Sequence, residues 1–306
     1  MSLQRSIPCS AVLRASTRTA VAMMTLLALP LTASAAGGGA DTPHQKWSFS
    51  GLTGHFDQGQ LQRGFQVYKE VCAACHNLRL VKYRNLGDAG GPGFSEAVVK
   101  ELAKASSFPE INDNGKVVQR DGRASDPIIL APYKNDQEAR ATYNGALPPD
   151  LSLMAKARSA HAVLPWYREP VKWAVDIVTG YQEGGADYVH ALLMGYPADG
   201  KAPAGFKTED GAPFKLADGM NFNSAFPGYQ IAMAPPPMGD KMVKYADGTS
   251  MTQDQYAKDV TAFLMWTAEP KLDQRKRIGA QVLLYLAITS LLLWLAKRRL
   301  WARIEH

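Results

Sequence analysis

Two thiols and an imidazole fall within five residues of this chain, as Cys72, Cys75 and His76 of the stretch VCAACHNL. Three chemistries use such a set. A structural zinc site takes four nitrogen or sulfur ligands, commonly from a second close Cys/His pair, and His44, His55, His161, His190 and His306 form none. A thioredoxin-like dithiol sits in a βαβ context, whereas this stretch reads as a helix running into a loop. Covalent haem c attachment has this spacing as its signature. Each thiol adds to one vinyl group, two intervening residues let both sulfurs reach, and the next residue turns its imidazole to the iron. Haem c is therefore the expectation.

One histidine leaves the iron five-coordinate. An open sixth position supports small-molecule chemistry, as in a haem enzyme; a Met or His there favours electron transfer, and Met raises the potential. Met154, Met194 and Met265 sit in apolar, helix-like stretches and read as packing residues. Met220, Met242 and Met251 lie among polar residues with nothing to hold them. Met233, in FPGYQIAMAPPPMGD, precedes Pro235, Pro236 and Pro237, whose fixed dihedrals stiffen the loop. A thioether is a weak ligand and gains from a rigid mount. Met238 follows the same prolines and is the main rival, with His55 and His190 behind it. The residue types alone leave this choice open.

Elements must place these groups. DQGQLQRGFQVYKEVCAAC reads as a helix capped by Asp57. Leu61, Phe65, Tyr68, Val71 or Cys72, and Cys75 recur at three- and four-residue steps, so one helical face would present both cysteines. Gly64 on this helix is either a point of close packing or an incidental weak spot. FSEAVVKELAKA (94–105) reads as a short helix and GKVVQRDG as a small hairpin. Ser250, Thr252, Gln253 and Asp254 open a helix through YAKDVTAFLMWTA that stops near Pro270. DAGGPG lacks the strand–helix setting of a phosphate loop and reads as a turn. The expected fold class is mainly α with long loops: a cytochrome c-like haem domain plus one C-terminal transmembrane helix.

The ends give the organisation. Arg5, Arg14 and Arg18 precede the apolar run AVAMMTLLALPL and the small residues of TASAA, the pattern of a secretion signal over 1–35. Cys9 leaves with it, so Cys72 and Cys75 stand alone in an oxidising compartment. Residues 278–296 carry no charge and span roughly 28 Å as a helix, close to the hydrocarbon thickness. The divisions are thus a signal over 1–35, an exported haem domain over 36–270, and an anchor with a short tail over 271–306. The ends carry +3 and +6, so the middle, with 23 basic and 26 acidic residues, is mildly acidic. It suits a basic or neutral partner better than a phosphate backbone, which sets nucleic acid aside.

On RGFQVYKEVCAACHNL, YRNL, NGALPPDLSL, DYVHALLMGY, NFNSAFPGYQIAMAPPP and YAKDVTAFLMWTAEPKLDQRKRIG, the chain resembles the cytochrome c1 family, the haem-bearing subunits of ubiquinol–cytochrome c oxidoreductase (the cytochrome bc1 complex). The order and number of these pieces make the likeness specific. It implies one haem c bound through Cys72 and Cys75, with His76 and Met233 as axial ligands. It implies Pro148 and Pro149 packed by the haem, Arg158 near its propionates, and a pocket lined by Tyr188, Leu192, Leu193, Phe226 and Ile231. The function implied is one-electron transfer in a respiratory chain, from a Rieske iron–sulfur protein to a soluble cytochrome c, with no independent catalytic site on this chain. The partners implied are a cytochrome b beside the anchor and a dimeric complex. The expected location is a bacterial inner membrane, with the haem domain in the periplasm and the tail KRRLWARIEH in the cytoplasm. Between Arg158 and Tyr188 the chain runs longer than the mitochondrial form, and its VKWAVDIVTGY is apolar enough to pack on another subunit.

Overall fold

A computed structural model describes residues 42–158, 167, 170–171, 184–208 and 211–302. The signal, its cleavage point and most of the long 159–187 segment lie outside the described residues.

The Asp57 side chain accepts from the Gln60 N–H at 2.6 Å and so opens helix α1 (Gln58–Glu70). Its apolar stripe, Leu61, Phe65, Val67 and Tyr68, is buried against α6 (Gln253–Ala268), whose N-cap is Thr252. Ring centroids of Phe65 and Tyr68 lie 5.6 and 5.9 Å from that of Phe263 on α6. A Cβ at Gly64 would sit 2.1 Å from the Asp259 carbonyl oxygen and 2.6 Å from the Phe263 Cβ. Gly64 is therefore the contact point of the helix pair, which decides between its two readings. Beside it, Arg63 Nε donates to the fully buried Asp259 carboxylate at 3.0 Å, and Nη1 reaches Asp247 at 2.6 Å. An unpartnered carboxylate there would cost several kcal/mol, so this pairing locks α1 to α6 in register.

The helix ends before the cysteine motif. Residues Cys72–Ala74 form a 3-10 turn, and Cys75 lies beyond it. The expectation that one α-helical face presents both cysteines is corrected here. The N–H groups of Cys75 and His76 both converge on the Cys72 carbonyl, at 3.1 and 2.9 Å, and this tightens the chain.

The other short helices among the described residues are α2 (Glu96–Lys104), α3 (Asp136–Thr142), α4 (Met154–Ala157) and α5 (Gly184–Met194), of which α4 and α5 pack on α6. Strand β1 (Leu78–Lys82) pairs antiparallel with β4 (Pro127–Ile128), β2 (Ser107–Ile111) with β3 (Val117–Asp121), and β5 (Asn221–Phe222) with β6 (Gln230–Ile231). The hairpin expected in GKVVQRDG is wider than that stretch, which supplies only β3 and part of the turn. Its partner SFPEI contains Pro109, tolerated because a two-stranded sheet leaves an outer edge free of ladder bonds.

Helix α5 is held from two sides. The buried Asp187 carboxylate accepts from the Trp47 indole at 2.8 Å and the Gln45 backbone at 3.1 Å, and pairs with His44. His190 Nε2 meets Asp254 of α6 at 3.0 Å, with Lys258 on the same carboxylate and Trp47 edge-on to the imidazole. Burial holds the His190 pKa below its ordinary value, against the opposing pull of Asp254. The unfolded chain therefore takes up this proton first, near pH 6.5, and stability falls as pH is lowered from there through the folded pKa. Replacing His190 with Gln is expected to flatten the dependence of Tm on pH as pH is lowered from about 6.5. Thermal melts across that range check it, and an unchanged slope would show that another group carries the transition.

Helix α7 (Leu272–Trp301) is about 45 Å long at 1.5 Å per residue. It runs beyond the uncharged 278–296 stretch at both ends. Among the described residues it is the helix long and apolar enough to cross a membrane, and its apolar face from Ile278 onward is exposed. Its first turns instead engage the head. Leu272 is buried, Asp273 accepts from the Phe56 N–H, and Lys276 donates to the carbonyls of Phe49 and Gly54. Just upstream, Glu269 pairs with Lys156 of α4 and with Arg275.

Candidate haem c site

The turn that carries Cys72, Cys75 and His76 is held by its own backbone oxygens. Four consecutive carbonyls each accept one hydrogen bond from outside the turn. Tyr143 donates to Ala74, Tyr133 to Cys75 and Tyr68 to His76, each at 3.1 Å, and the Leu151 N–H donates to Asn77 at 2.9 Å. Burial raises the Tyr68 hydroxyl well above the ordinary phenol range, so it remains a donor. The buried Asn77 side chain accepts from the N–H groups of both Leu130 and Ala131 at 2.9 Å, which fastens the segment after β4 to the residue after the histidine.

His76 is 8% exposed, and its Nδ1 lies 2.7 Å from the Pro149 carbonyl oxygen. A carbonyl only accepts, so Nδ1 carries the proton and Nε2 keeps its lone pair, without a hydrogen-bond partner among the described residues. Burial lowers the His76 pKa and favours this neutral form. Both cysteines are free and half-buried, and burial pushes the Cys72 thiol up to about 12. Two free thiols and a neutral imidazole with one nitrogen available fit covalent haem c, with Cys72 and Cys75 as thioether sites and His76 able to ligate iron.

Pro149 thus takes part through its backbone, with Pro148 half-buried next to it. Arg158 is exposed and caps α4, near enough for its charge to act on Tyr188 of α5. Tyr188 and Leu193 are buried in the main core, and Cys72, Leu192 and Met233 pack against that same core. Phe226, within the β5–β6 connection, and Ile231, at the end of β6, are half-buried. The Met233 carbonyl accepts from the Tyr196 hydroxyl at 3.2 Å and the Asn221 amide at 3.4 Å. Asn223, two residues along, donates to the Leu192 carbonyl at 2.8 Å and so joins this loop to α5. Two rivals are engaged elsewhere, Met238 as a core residue at 1% exposure and His190 in its pair with Asp254, while His55 is exposed.

Sequence reasoning missed Asn77, Tyr133, Tyr143, Tyr196 and Asn221. Only Tyr68 had a usable signal, since it lies one helical turn before Cys72 on the apolar stripe. The others act across loops, where spacing carries no period.

A mainly helical domain that presents such a turn and is joined to one membrane-crossing helix defines a membrane-anchored c-type cytochrome. Comparison with known proteins narrows the class. Residues 47–304 match the Cytochrome C1 family. Cytochrome c1 of Blastochloris viridis is 44% identical over 285 residues, covering 92% of this chain and 93% of that one. The cytochrome b-c1 complex catalytic subunit of Candida albicans is 38% identical over 274 residues, 89% of this chain and 82% of that one. Cytochrome b/c1 of Bradyrhizobium diazoefficiens is 45% identical over 261 residues, 85% of this chain, which spans only 35% of that longer protein. The chain belongs to the cytochrome c1 family. It carries a covalently bound haem c and is the haem electron carrier of a cytochrome bc1 complex.

Proposed function

We propose that this chain takes electrons one at a time from a Rieske iron–sulfur protein and passes them to a soluble cytochrome c, with His76 and Met233 as the two axial ligands. When bound, the haem supplies an iron that cycles between ferric and ferrous. The chain's own residues hold that iron in one geometry. The observation that carries the reading is the His76–Pro149 contact at 2.7 Å, which leaves one defined nitrogen for the metal. The paired hold on the Met233 carbonyl and the three prolines after it support the thioether as the opposite ligand. Two filled positions leave little to rearrange on reduction, which suits a carrier rather than an enzyme that must bind substrate at iron.

The proposed organisation is a signal over 1–35, a haem domain over 36–270 in the periplasm of a bacterial inner membrane, and an anchor over 271–306 with its C-terminus in the cytoplasm. Cytochrome b would pack beside α7 in a dimeric complex. Arg158 would serve the propionates, and Pro148, Pro149, Tyr188, Leu192, Leu193, Phe226 and Ile231 the haem faces. Purification of the tagged chain from mild-detergent membranes is expected to bring down a cytochrome b and an iron–sulfur protein with a low-spin haem. Recovery as a lone soluble monomer, or a high-spin spectrum that changes with added small ligands, would overturn the reading. Protease added outside spheroplasts should remove the haem domain; protection would reverse the orientation.

A further inference from the structure

We infer that Tyr133 and Tyr143 are positioning residues of the haem site, whose hydroxyls hold the two peptide groups closing the turn from Cys72 to His76. The inference rests on the covalent haem and on His76 as its ligand, and assigns a role to residues that neither requires.

The two tyrosines come from a small apolar unit apart from the main core. Ala131, Tyr133 and Ala139 are buried in it, Tyr143 and Leu147 pack on it, and α3 is its frame. Their rings meet edge to face at 6.3 Å and 86°. Both hydroxyls leave this unit to reach the cysteine motif, on the carbonyls of Cys75 and Ala74. The far ends of the same two peptide groups are the N–H groups of His76 and Cys75, and both donate to the Cys72 carbonyl. Each peptide is therefore held at its oxygen and at its nitrogen. Hydrogen bonds in series polarise one another, so each hydroxyl strengthens a bond that shuts the turn. Asn77 completes the attachment by fixing the start of the unit, at Ala131, to the residue after the ligand.

The consequence is specific to this site. The peptide between Cys75 and His76 joins the second thioether residue to the axial ligand, and its rotation would swing the imidazole against a sulfur fixed to the porphyrin edge. The hydroxyl protons also offset the negative ends of two carbonyls in the motif that would hold the haem. Without them those oxygens favour the ferric state, and the potential falls.

The test uses the detergent-purified, haem-loaded complex with Tyr133→Phe, Tyr143→Phe and both together. Tyr83→Phe is the control, because its buried hydroxyl shares a 2.6 Å hydrogen bond with Ser106 away from the motif. Three quantities are read: the reduced-to-oxidised ratio at a fixed poise, the fraction of haem resisting acid–acetone extraction, and Tm. The double variant is expected to lower the ratio several-fold and to release more haem, while Tyr83→Phe lowers Tm alone. Tyr143→Phe, at the half-buried tyrosine, gives the same direction with the least risk to folding. A double variant that loses Tm like the control, with ratio and extractable haem unchanged, overturns the inference. Absence of covalent haem from the wild-type complex would overturn the underlying reading as well.

Discussion

Replacing Met233 with leucine is expected to leave haem covalently attached while removing the methionine–iron charge-transfer band and lowering the midpoint potential. Leucine matches the volume of methionine to within what cores tolerate, at a cost below about 1.5 kcal/mol, so the fold should persist. The electronic effect is much larger. Axial ligands set haem potentials over a span of about 0.8 V, and on the proposed His76/Met233 ligation the substitution removes the thioether that would raise this one. A fall of about 0.2 V, at about 59 mV per tenfold for one electron, shifts the reduction equilibrium by roughly three orders of magnitude. Electron flow to cytochrome c should drop accordingly. Met238→Leu is the paired control, since that side chain is spent on the core. Redox titration of both variants decides the matter: a potential that moves with Met238 and not with Met233 would reassign the ligand.

Gly64→Val is the second large effect, this time on stability. Overpacking usually costs about 1–3 kcal/mol because side chains can shift. Here the first added carbon meets a backbone oxygen at 2.1 Å, and backbone in the middle of a helix has nowhere to go. The pair α1–α6 must separate, which also lengthens the buried Arg63–Asp259 bond. A loss of at least about 3 kcal/mol follows, or roughly 10 °C in Tm for a domain of this size. The cysteine turn is the direct continuation of α1, so haem loading should fall with it. A melt of the purified variant within a degree or two of wild type would show that the crossing is more compliant than its geometry implies.

What was legible in the chain were the features with a local rule behind them. Asp57 and Thr252 announce helix starts because a side-chain oxygen near the first free N–H groups is chemically distinctive. The cysteine motif and the apolar α7 are legible for similar reasons: one is bound to its chemistry by spacing, the other to a bilayer by length. The end of α1 at Glu70 was not legible, because the residues that follow keep a helical period while their N–H groups turn to a single carbonyl. Pro149 also supplies a backbone oxygen to His76, and that role was not legible because a carbonyl is a group every residue owns. The same holds for the Met233 mount: prolines signalled stiffness, but the bonds from Tyr196 and Asn221 join positions 37 and 12 residues apart.

The join between head and anchor has a mechanical consequence. Lys276 and Asp273 grip the 49–56 loop, and Glu269 bridges to Lys156 and Arg275, so the last residues of the head and the first turns of the rod leave no swivel. A helix longer than the hydrocarbon slab it crosses adjusts by leaning. Without a swivel, that lean is passed to the head, and the thickness of the surrounding lipid becomes a setting for how high above the surface the iron rides.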